Sequence, residues 1–435
     1  MEPVNVGIVG IILLIILFAI KVPVAFAMGI MGFLGFSYLA GLDAALNMVA
    51  VELLNVFSSY TLTSVVAMFV LMGCIAFRTG MSERIFDASH VILGNLRGGL
   101  AIASVIGCAA FAAICGSTNA TAAAMGLVSL PQMKKYNYDD SLATGCLASA
   151  GTLGILIPPS ALLVIYGIIA EQSIGKLFLG GIIPGIILTF AFIIAISIVC
   201  WRNPLLGPPG PPTSFIMKIK ALPAMIEVLI VFALVMGGLM TGWFTPTQAG
   251  AAGSLAVVLI ALVRKNISWK AMVEASKDTL LITCMVMFVL YGATLFSRFM
   301  AVTQIPFNLS GWISSVRAPR ELIMIIILFM HLVGGCFMDG LAMIMLTVPI
   351  LLPTVVSLGY DPIWFGILIT LMVEMAAITP PVGINVYVIK GIAPDVPLET
   401  IFRGIFPFLW ALIFVTFLII FFPQLVLFLP RQVAF

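Results

Sequence analysis

Two stretches, GTLGILIPPS (Gly151 to Ser160) and AAITPPVGIN (Ala376 to Asn385), each set a Pro-Pro pair inside an apolar segment long enough to cross a membrane. Proline has no backbone N–H, so the carbonyl four residues earlier loses its helical donor. A proline pair therefore frees neighbouring carbonyls together, and a bare polar group in hydrocarbon is strongly disfavoured. A chain that carries this feature twice has to bury both breaks against something polar or against a cation.

Composition agrees with that setting. Hydrophobic residues make up 62% of the 435 residues and charged residues 9%, with a mean hydropathy of +1.24; ordinary soluble domains hold roughly 25% charged residues. Apolar runs of about 20 residues recur along the chain, the length of membrane helices rather than of the short alternating strands of a barrel. The first run, Val4 to Ile20, has no basic residues before it and Lys21 after it, so it is expected to be a retained helix and not a signal peptide. The cysteines at 74, 108, 115, 146, 200, 284 and 336 have no metal-type spacing and read as small packing residues.

Expected spans are 4-20, 23-42, 60-77, 141-170, 177-201, 222-242, 246-263, 279-297, 362-390 and 404-429, with two long stretches at 98-133 and 321-356. The pieces 43-56, 81-97, 266-277 and 303-318 are amphipathic and are expected to lie at the interface or brace other helices. With the N-terminus outside, 15 basic residues fall inside, among them Lys21, Arg78, Lys134 and Lys390, against 5 outside, among them Arg298 and Arg317. The positive-inside rule favours this orientation. It holds only if 98-133 enters and returns from the cytoplasm and 321-356 from outside, which makes both re-entrant hairpins. Their tips are the small polar clusters CGSTNAT (Cys115 to Thr121) and GGCFMDG (Gly334 to Gly340).

A hairpin tip followed by a Pro-Pro break thus occurs twice, with 42 residues from Gly116 to Pro158 and 45 from Gly335 to Pro380. The Pro-rich stretch Asn203 to Pro212 separates the halves. Opposite sides for the two hairpins make the repeat inverted, the arrangement secondary transporters use. The expected fold is an all-α polytopic membrane protein of inverted-topology repeats, each with a re-entrant hairpin and a Pro-Pro broken helix, of the elevator-type ion-transporter kind. Unwound carbonyls beside helix C-termini suit sodium, and free N–H groups at half-helix N-termini suit an anionic substrate.

The segments GSTNATAAAMG, AGTLGILIPPS, GCFMDGLAMIMLTVPI and EMAAITPPVGINVYVIKG together resemble the large membrane subunit, DctM-like, of tripartite ATP-independent periplasmic (TRAP) transporters, and the likeness runs over essentially the whole chain. That resemblance implies sodium-driven uptake of a small organic anion by an elevator motion in the bacterial inner membrane. It also implies two partners, a four-helix small membrane subunit (DctQ-like) and a periplasmic substrate-binding protein, with a lipid bilayer around the chain and no nucleic acid. Carried over by position, one sodium site uses backbone oxygens around Cys115 with Gly154, Ile157 and Pro159, and its counterpart uses Gly335 with Ala376, Thr379 and Val382. Cys115 stands where many relatives carry serine, a change that a carbonyl ligand survives; Ala376 stands where many carry glycine.

Asp339 and Glu374 are the acidic residues at membrane depth, where a carboxylate is a functional candidate by default, as cation ligand, proton carrier or anchor; Asp339 is grouped with the second sodium site, and for Glu374 a hydrogen-bonded structural role stands beside these. Ser117, Thr118 and Asn119 offer short polar groups that fit either substrate contact or capping of the hairpin's second helix. Ser160, Gly340 and Asn385 are further substrate candidates. His90 and His331 read as structural. No P-loop, HExxH or Ser-His-Asp set appears in the sequence, so an enzyme is not expected. The expected division assigns 98-170 and 321-392 to the transport domain and 1-97, 171-320 and 393-435 to scaffold and arms. A single-component sodium/dicarboxylate symporter of related fold, needing neither partner, is the alternative; the amphipathic braces favour the tripartite reading.

Overall fold

The computed structural model describes residues 2–20, 22–210, 212–315 and 318–433; Lys21 and Arg317, used in the charge count, and the 316–317 part of brace 303-318 lie outside them. The regular structure of the described residues is helical: α1 Pro3–Ala19, α2 Val24–Ala40, α3 Leu42–Phe57, α4 Tyr60–Arg78, α5 Met81–Leu93, α6 Gly99–Cys115, α7 Thr118–Lys135, α8 Asp140–Ala150, α9 Leu153–Leu156, α10 Ala161–Ile169, α11 Ile174–Arg202, α12 Phe215–Met240, α13 Pro246–Val263, α14 Trp269–Val302, α15 Ile305–Ser315, α16 Arg320–Gly335, α17 Gly340–Ser357, α18 Pro362–Ile378, α19 Ile384–Ile392, α20 Leu398–Phe421 and α21 Gln424–Gln432. Seven of these helices are long and apolar enough to cross a membrane, or eight if the bent pair Asp140–Leu156 and Ala161–Ile169 counts as one. Starts follow the local sequence: Ser117, Asp139, Ser160, Asp339 and Asp361 each accept an N–H of the first turn, satisfying donors that a helix N-terminus leaves open.

Each long stretch breaks where its small polar cluster lies. α6 and α7 pack against each other across Gly116 and Ser117, and α16 and α17 across Cys336 to Asp339, so both are helical hairpins. The Pro-Pro pairs break the following helices, bending the first by 43°; both Pro-Pro bonds are cis. Boundaries differ from expectation in three places, the first being the span expected at 222-242, whose helix α12 already begins at Phe215. The piece 266-277 is the start of the 34-residue α14, about 51 Å at 1.5 Å per residue, because its polar residues are spaced among helix formers with nothing to stop the helix. The span 404-429 ends at Phe421, and Pro423 separates it from α21, as a residue with no N–H would.

The element order α4, α5, hairpin, broken helix, α11 recurs as α14, α15, hairpin, broken helix, α20. Two ties show that the broken helices run in opposite directions. Lys134, at the end of α7 and just before α8 begins, donates to Asp395 just past α19, and Tyr166 near the end of α10 donates its hydroxyl to the Pro362 carbonyl at the start of α18. The start of one broken helix thus meets the end of the other at both ends, the geometry of an inverted repeat.

α20 lies against α8, α18 and α19, and α11 against α6, α9, α10, α18 and α20, so both helices expected in the scaffold pack directly on the hairpins and broken helices. The closest approach is at α8 and α20, where a Cβ on Gly404 would fall 1.9 Å from the Ser141 carbonyl oxygen and one on Gly145 would fall 2.2 Å from the Gly404 carbonyl carbon. A second set of contacts joins α2 with α14 and α3, α4 with α13 and α14, and α12 with α13 and α5, and it meets the hairpins where α4 and α5 lie on α6 and α14 and α15 lie on α17. Charged residues fasten it: buried Glu227 on α12 takes Arg84 and Arg264, Arg78 bridges Glu274 and Asp278, and Arg298 donates to the buried Glu52 at 2.7 Å.

The Pro-rich stretch between the halves is hydrogen-bonded to the foot of the first hairpin and to the end of α5. Gly98 N–H, just before α6, donates to the Gly207 carbonyl, and Asp139 N–H, just after α7, donates to the Leu206 carbonyl. Gly210 N–H donates to Gly94 and the Thr213 hydroxyl to Val91. Adjacent residues therefore bridge both ends of one hairpin.

The Lys134–Asp395 pair lies outside the spans and is solvent-facing; the hydrogen bond from Lys134 holds the Asp395 carboxyl below the usual aspartate range. A carboxylate lowered in the folded state adds stability above its unfolded pKa, about 3.9, and loses it as pH falls through the lower folded value. Asp395→Asn is expected to lower Tm slightly at neutral pH and low salt, as exposed pairs do, with the difference gone in high salt and in acid. Melting curves of the two proteins across pH check this; an equal Tm difference at neutral and acid pH would contradict it.

Candidate functional site

The first tip and the first break are joined main chain to main chain. α6 ends at Cys115, Gly116 turns at φ +65°, a conformation that glycine adopts without strain, and Ala161 N–H donates back across the break to the Gly116 carbonyl at 3.3 Å. The Pro159 carbonyl oxygen lies 2.7 Å from where a Gly116 Cβ would be, and a Cβ on Gly154 would fall 2.4 Å from the Ser117 carbonyl oxygen and 2.8 Å from Thr121 Oγ1. The N–H groups that Gly154 and Ile155 would bond in an unbroken helix belong to Pro158 and Pro159, which have none. Cys115, Ser117, Gly154 and Pro159 are thus brought together, whereas Ile157 lies against Gly185 of α11, and Gly154, Pro158, Pro159 and Ser160 are buried.

These oxygens fit a small hard cation: they are carbonyl and hydroxyl groups at the end of α6, where the helix dipole is negative, around a bare Cα that leaves no room for a methyl. No group of three or more His, Cys, Asp or Glu side chains is placed to hold a metal among the described residues, so carbonyl ligation is the chemistry that the breaks offer.

The second centre is built the same way but lies open. A Cβ on Gly335 would meet the Ala376 side chain at 2.7 Å and one on Gly340 would meet Val373 at 2.3 Å, so the second tip lies on the second break. Pro380 and Pro381 remove the donors for Ala376 and Ala377; the Ala376 carbonyl accepts Thr379 N–H at 3.3 Å instead, which leaves one lone pair. Thr379 Oγ1 donates to the Met375 carbonyl at 2.6 Å. Asp339 is exposed and accepts the Leu341 N–H at 3.1 Å, capping α17, while Pro381 and Val382 are exposed.

Several candidates already have partners inside the chain. Ser117 Oγ accepts the Ala120 N–H at 3.5 Å, Thr118 donates to Asn119 Oδ1 at 3.3 Å, and Asn119 is exposed at the tip. Ser160 is buried and accepts the Leu163 N–H. Asn385 is buried and donates to the Ala148 carbonyl at 3.1 Å, joining the second break to the first, with its Oδ1 left free. Glu374 is fully buried in α18 with neither carboxyl oxygen hydrogen-bonded. Two concave surfaces lie elsewhere, a 460 Å³ groove by Leu53, Phe57 and Phe288 and a 220 Å³ one by Met300, Phe307 and Pro349, at helix faces with no tip or break residue.

One contact was not legible in the sequence. Gly73 on α4 presents its Cα to Cys115, with a Cβ there 2.9 Å from the Cys115 carbonyl oxygen, so the outer group touches the first tip at the oxygen expected to bind a cation. A single glycine in an apolar helix carries no signal of that kind.

Residues 11–425 match the family described as the tripartite ATP-independent periplasmic transporter, DctM component. The chain belongs to the DctM family. Among characterised relatives, it is 33% identical to the C4-dicarboxylate TRAP transporter large permease DctM of Pseudomonas aeruginosa, over 88% of this chain and 89% of that protein. It is 32% identical to the sialic acid TRAP transporter large permease SiaM of Vibrio cholerae, over 89% and 90%. In fold it is similar to the crystal structure of the Alcanivorax borkumensis YdaH transporter, with a TM-score of 0.62 at 14% identity over 87% of this chain and 88% of that one. The DctM chain described here is therefore a large permease of the TRAP type, with the hairpins and breaks at its centre.

Proposed function

We propose that this chain takes up a small organic anion, carboxylate, sugar acid or sulfonate, driven by sodium, as the transport subunit of a three-part system in a bacterial inner membrane with its N-terminus on the periplasmic side. The observation that carries the reading is the junction of the first tip with the first break, where the Pro159 carbonyl and the Ala161–Gly116 hydrogen bond lie at the end of α6 and Gly154 lies against the Ser117 carbonyl. Sodium binds there and at the second centre around Gly335, Ala376 and Thr379, with Asp339 and Val382 beside it, and this orders the two tips. The groups at the tips, half-buried Thr118 and exposed Asn119 on one side and half-buried Gly340 on the other, then face the substrate anion, together with N–H groups at the starts of α7 and α17. Ser117, Ser160 and Asn385 hold the main chain around it.

The hairpins, re-entrant from opposite faces, and the broken helices move together as an elevator. α11 and α20 travel with them, because their packing partners lie in that group. The group of α2, α3, α4, α12, α13 and α14 stays with the small membrane subunit, and a periplasmic binding protein delivers the substrate. Relatives named for a C4-dicarboxylate and for sialic acid support the anion class without choosing within it.

The test is uptake into proteoliposomes holding this chain and its neighbouring small subunit, with and without the binding protein, under an inward sodium gradient. Uptake is expected only with all components and sodium. Uptake that persists unchanged without the gradient removes the sodium reading, and uptake by this chain alone favours the single-component symporter.

A further inference from the structure

His331 and Thr347 belong to different arms of the second hairpin. His331 is fully buried on α16, four residues before Gly335, and Thr347 is buried on α17. The ring Nδ1 lies 2.9 Å from the Ile327 carbonyl oxygen and Nε2 lies 2.8 Å from Thr347 Oγ1. A carbonyl only accepts, so Nδ1 carries a hydrogen; in the neutral ring Nε2 is then the acceptor and the Thr347 hydroxyl the donor. The hydroxyl also lies 2.7 Å from the Met343 carbonyl, but it has one hydrogen, and the ring nitrogen has no other donor. The ring edge rests on Phe365 of α18, centroids 6.0 Å apart. Both ring nitrogens are therefore used and the ring is held by three helices.

At the matching positions the first hairpin has no such bond. Counting back four residues from Cys115 gives Phe111, and the position on α7 matching Thr347 on α17 is Met125, both apolar and buried. An apolar pair lets two arms slide or rotate against each other, whereas a hydrogen bond between buried groups is lost when register changes and leaves both unsatisfied.

We propose that His331 and Thr347 form a clasp that fixes the register of the second hairpin's arms and so holds its tip, Gly335 to Gly340, on the second break. They are positioning residues for the second cation centre, and in this respect the inference rests on the sodium reading above. The first hairpin, without a clasp, is the one whose arms adjust.

Thr347→Val keeps the shape and removes the hydroxyl, and Thr347→Ser keeps the hydroxyl. In hydrogen–deuterium exchange without sodium, Thr347→Val is expected to speed exchange of the peptide covering 334–341 about tenfold, the effect of losing one buried hydrogen bond, while Thr347→Ser stays as wild type. In sodium titrations followed by thermal shift, the half-saturating concentration is expected to rise about tenfold for Thr347→Val, as when a group that orients a metal ligand is lost, and to be restored by Thr347→Ser. A general loss of packing would lower Tm without moving the sodium midpoint. If Thr347→Val is not recovered folded, His331→Gln takes its place with the same expected direction. Unchanged tip exchange overturns the clasp. Faster tip exchange in a protein whose wild type shows no sodium-specific stabilisation supports the clasp and removes the sodium reading instead. Faster tip exchange with an unmoved sodium midpoint overturns the positioning role.

Discussion

Gly154→Val is expected to leave a protein that inserts and purifies but takes up substrate about a hundredfold more slowly, the upper range for disturbing the surroundings of a metal ligand. A Cβ at this position would fall 2.4 Å from the Ser117 carbonyl oxygen and 2.8 Å from Thr121 Oγ1, so the side chain drives the first tip off the first break. Both atoms it meets are at the expected cation centre, and one is backbone. Gly154→Ala is expected to fall between, with a raised sodium half-saturation and a smaller loss of rate. Initial uptake rates against sodium concentration decide it; wild-type rates in the valine variant would show that the tip and the break need not meet.

Gly404→Leu acts on stability instead. Its Cβ would sit 1.9 Å from the Ser141 carbonyl oxygen, and the same crossing puts a Gly145 Cβ 2.2 Å from the Gly404 carbonyl carbon. Backbone meets backbone there, so no side chain can turn aside, and the loss is expected to be about 3 kcal/mol or more, at or beyond the usual range for overpacking. Gly145→Leu is expected to cost a similar amount, and the double variant less than the sum, since one crossing is broken in both. Thermal melting of the purified proteins measures this. A Tm unchanged by either substitution would mean that α8 and α20 can separate at no cost, which contradicts the packing.

The breaks, tips and repeat were legible because each rests on local chemistry. Pro158, Pro159, Pro380 and Pro381 cannot supply an N–H wherever they lie, and Ser117, Ser160 and Asp339 cap helices by rules that depend on the next two or three residues. Boundaries were read less well where hydropathy was taken over punctuation. Pro423 was available as a stop for α20, and the Trp269–Val302 run contains no proline or early glycine to separate its polar start from its apolar middle. The placement of α11 and α20 beside the hairpins was not legible, since it depends on which apolar faces meet. Nor were the roles of Gly73, Gly145 and Gly404, whose meaning lies in the backbone of another helix. His331 reads as structural in the sequence, and its bond to Thr347 sixteen residues away appears only when the hairpin is folded.

The stretch from Asn203 to Thr213 reads as a spacer between two halves, yet its carbonyls at Leu206 and Gly207 receive the N–H groups that flank the first hairpin. Dividing the gene there would not yield two self-sufficient products. The first fragment would lose the segment that closes the base of its own hairpin, and the second would begin with a ribbon whose bonding partners are in the other polypeptide. The two halves share one plan, but the seam between them is part of one half's foundation, so neither half is a separable unit.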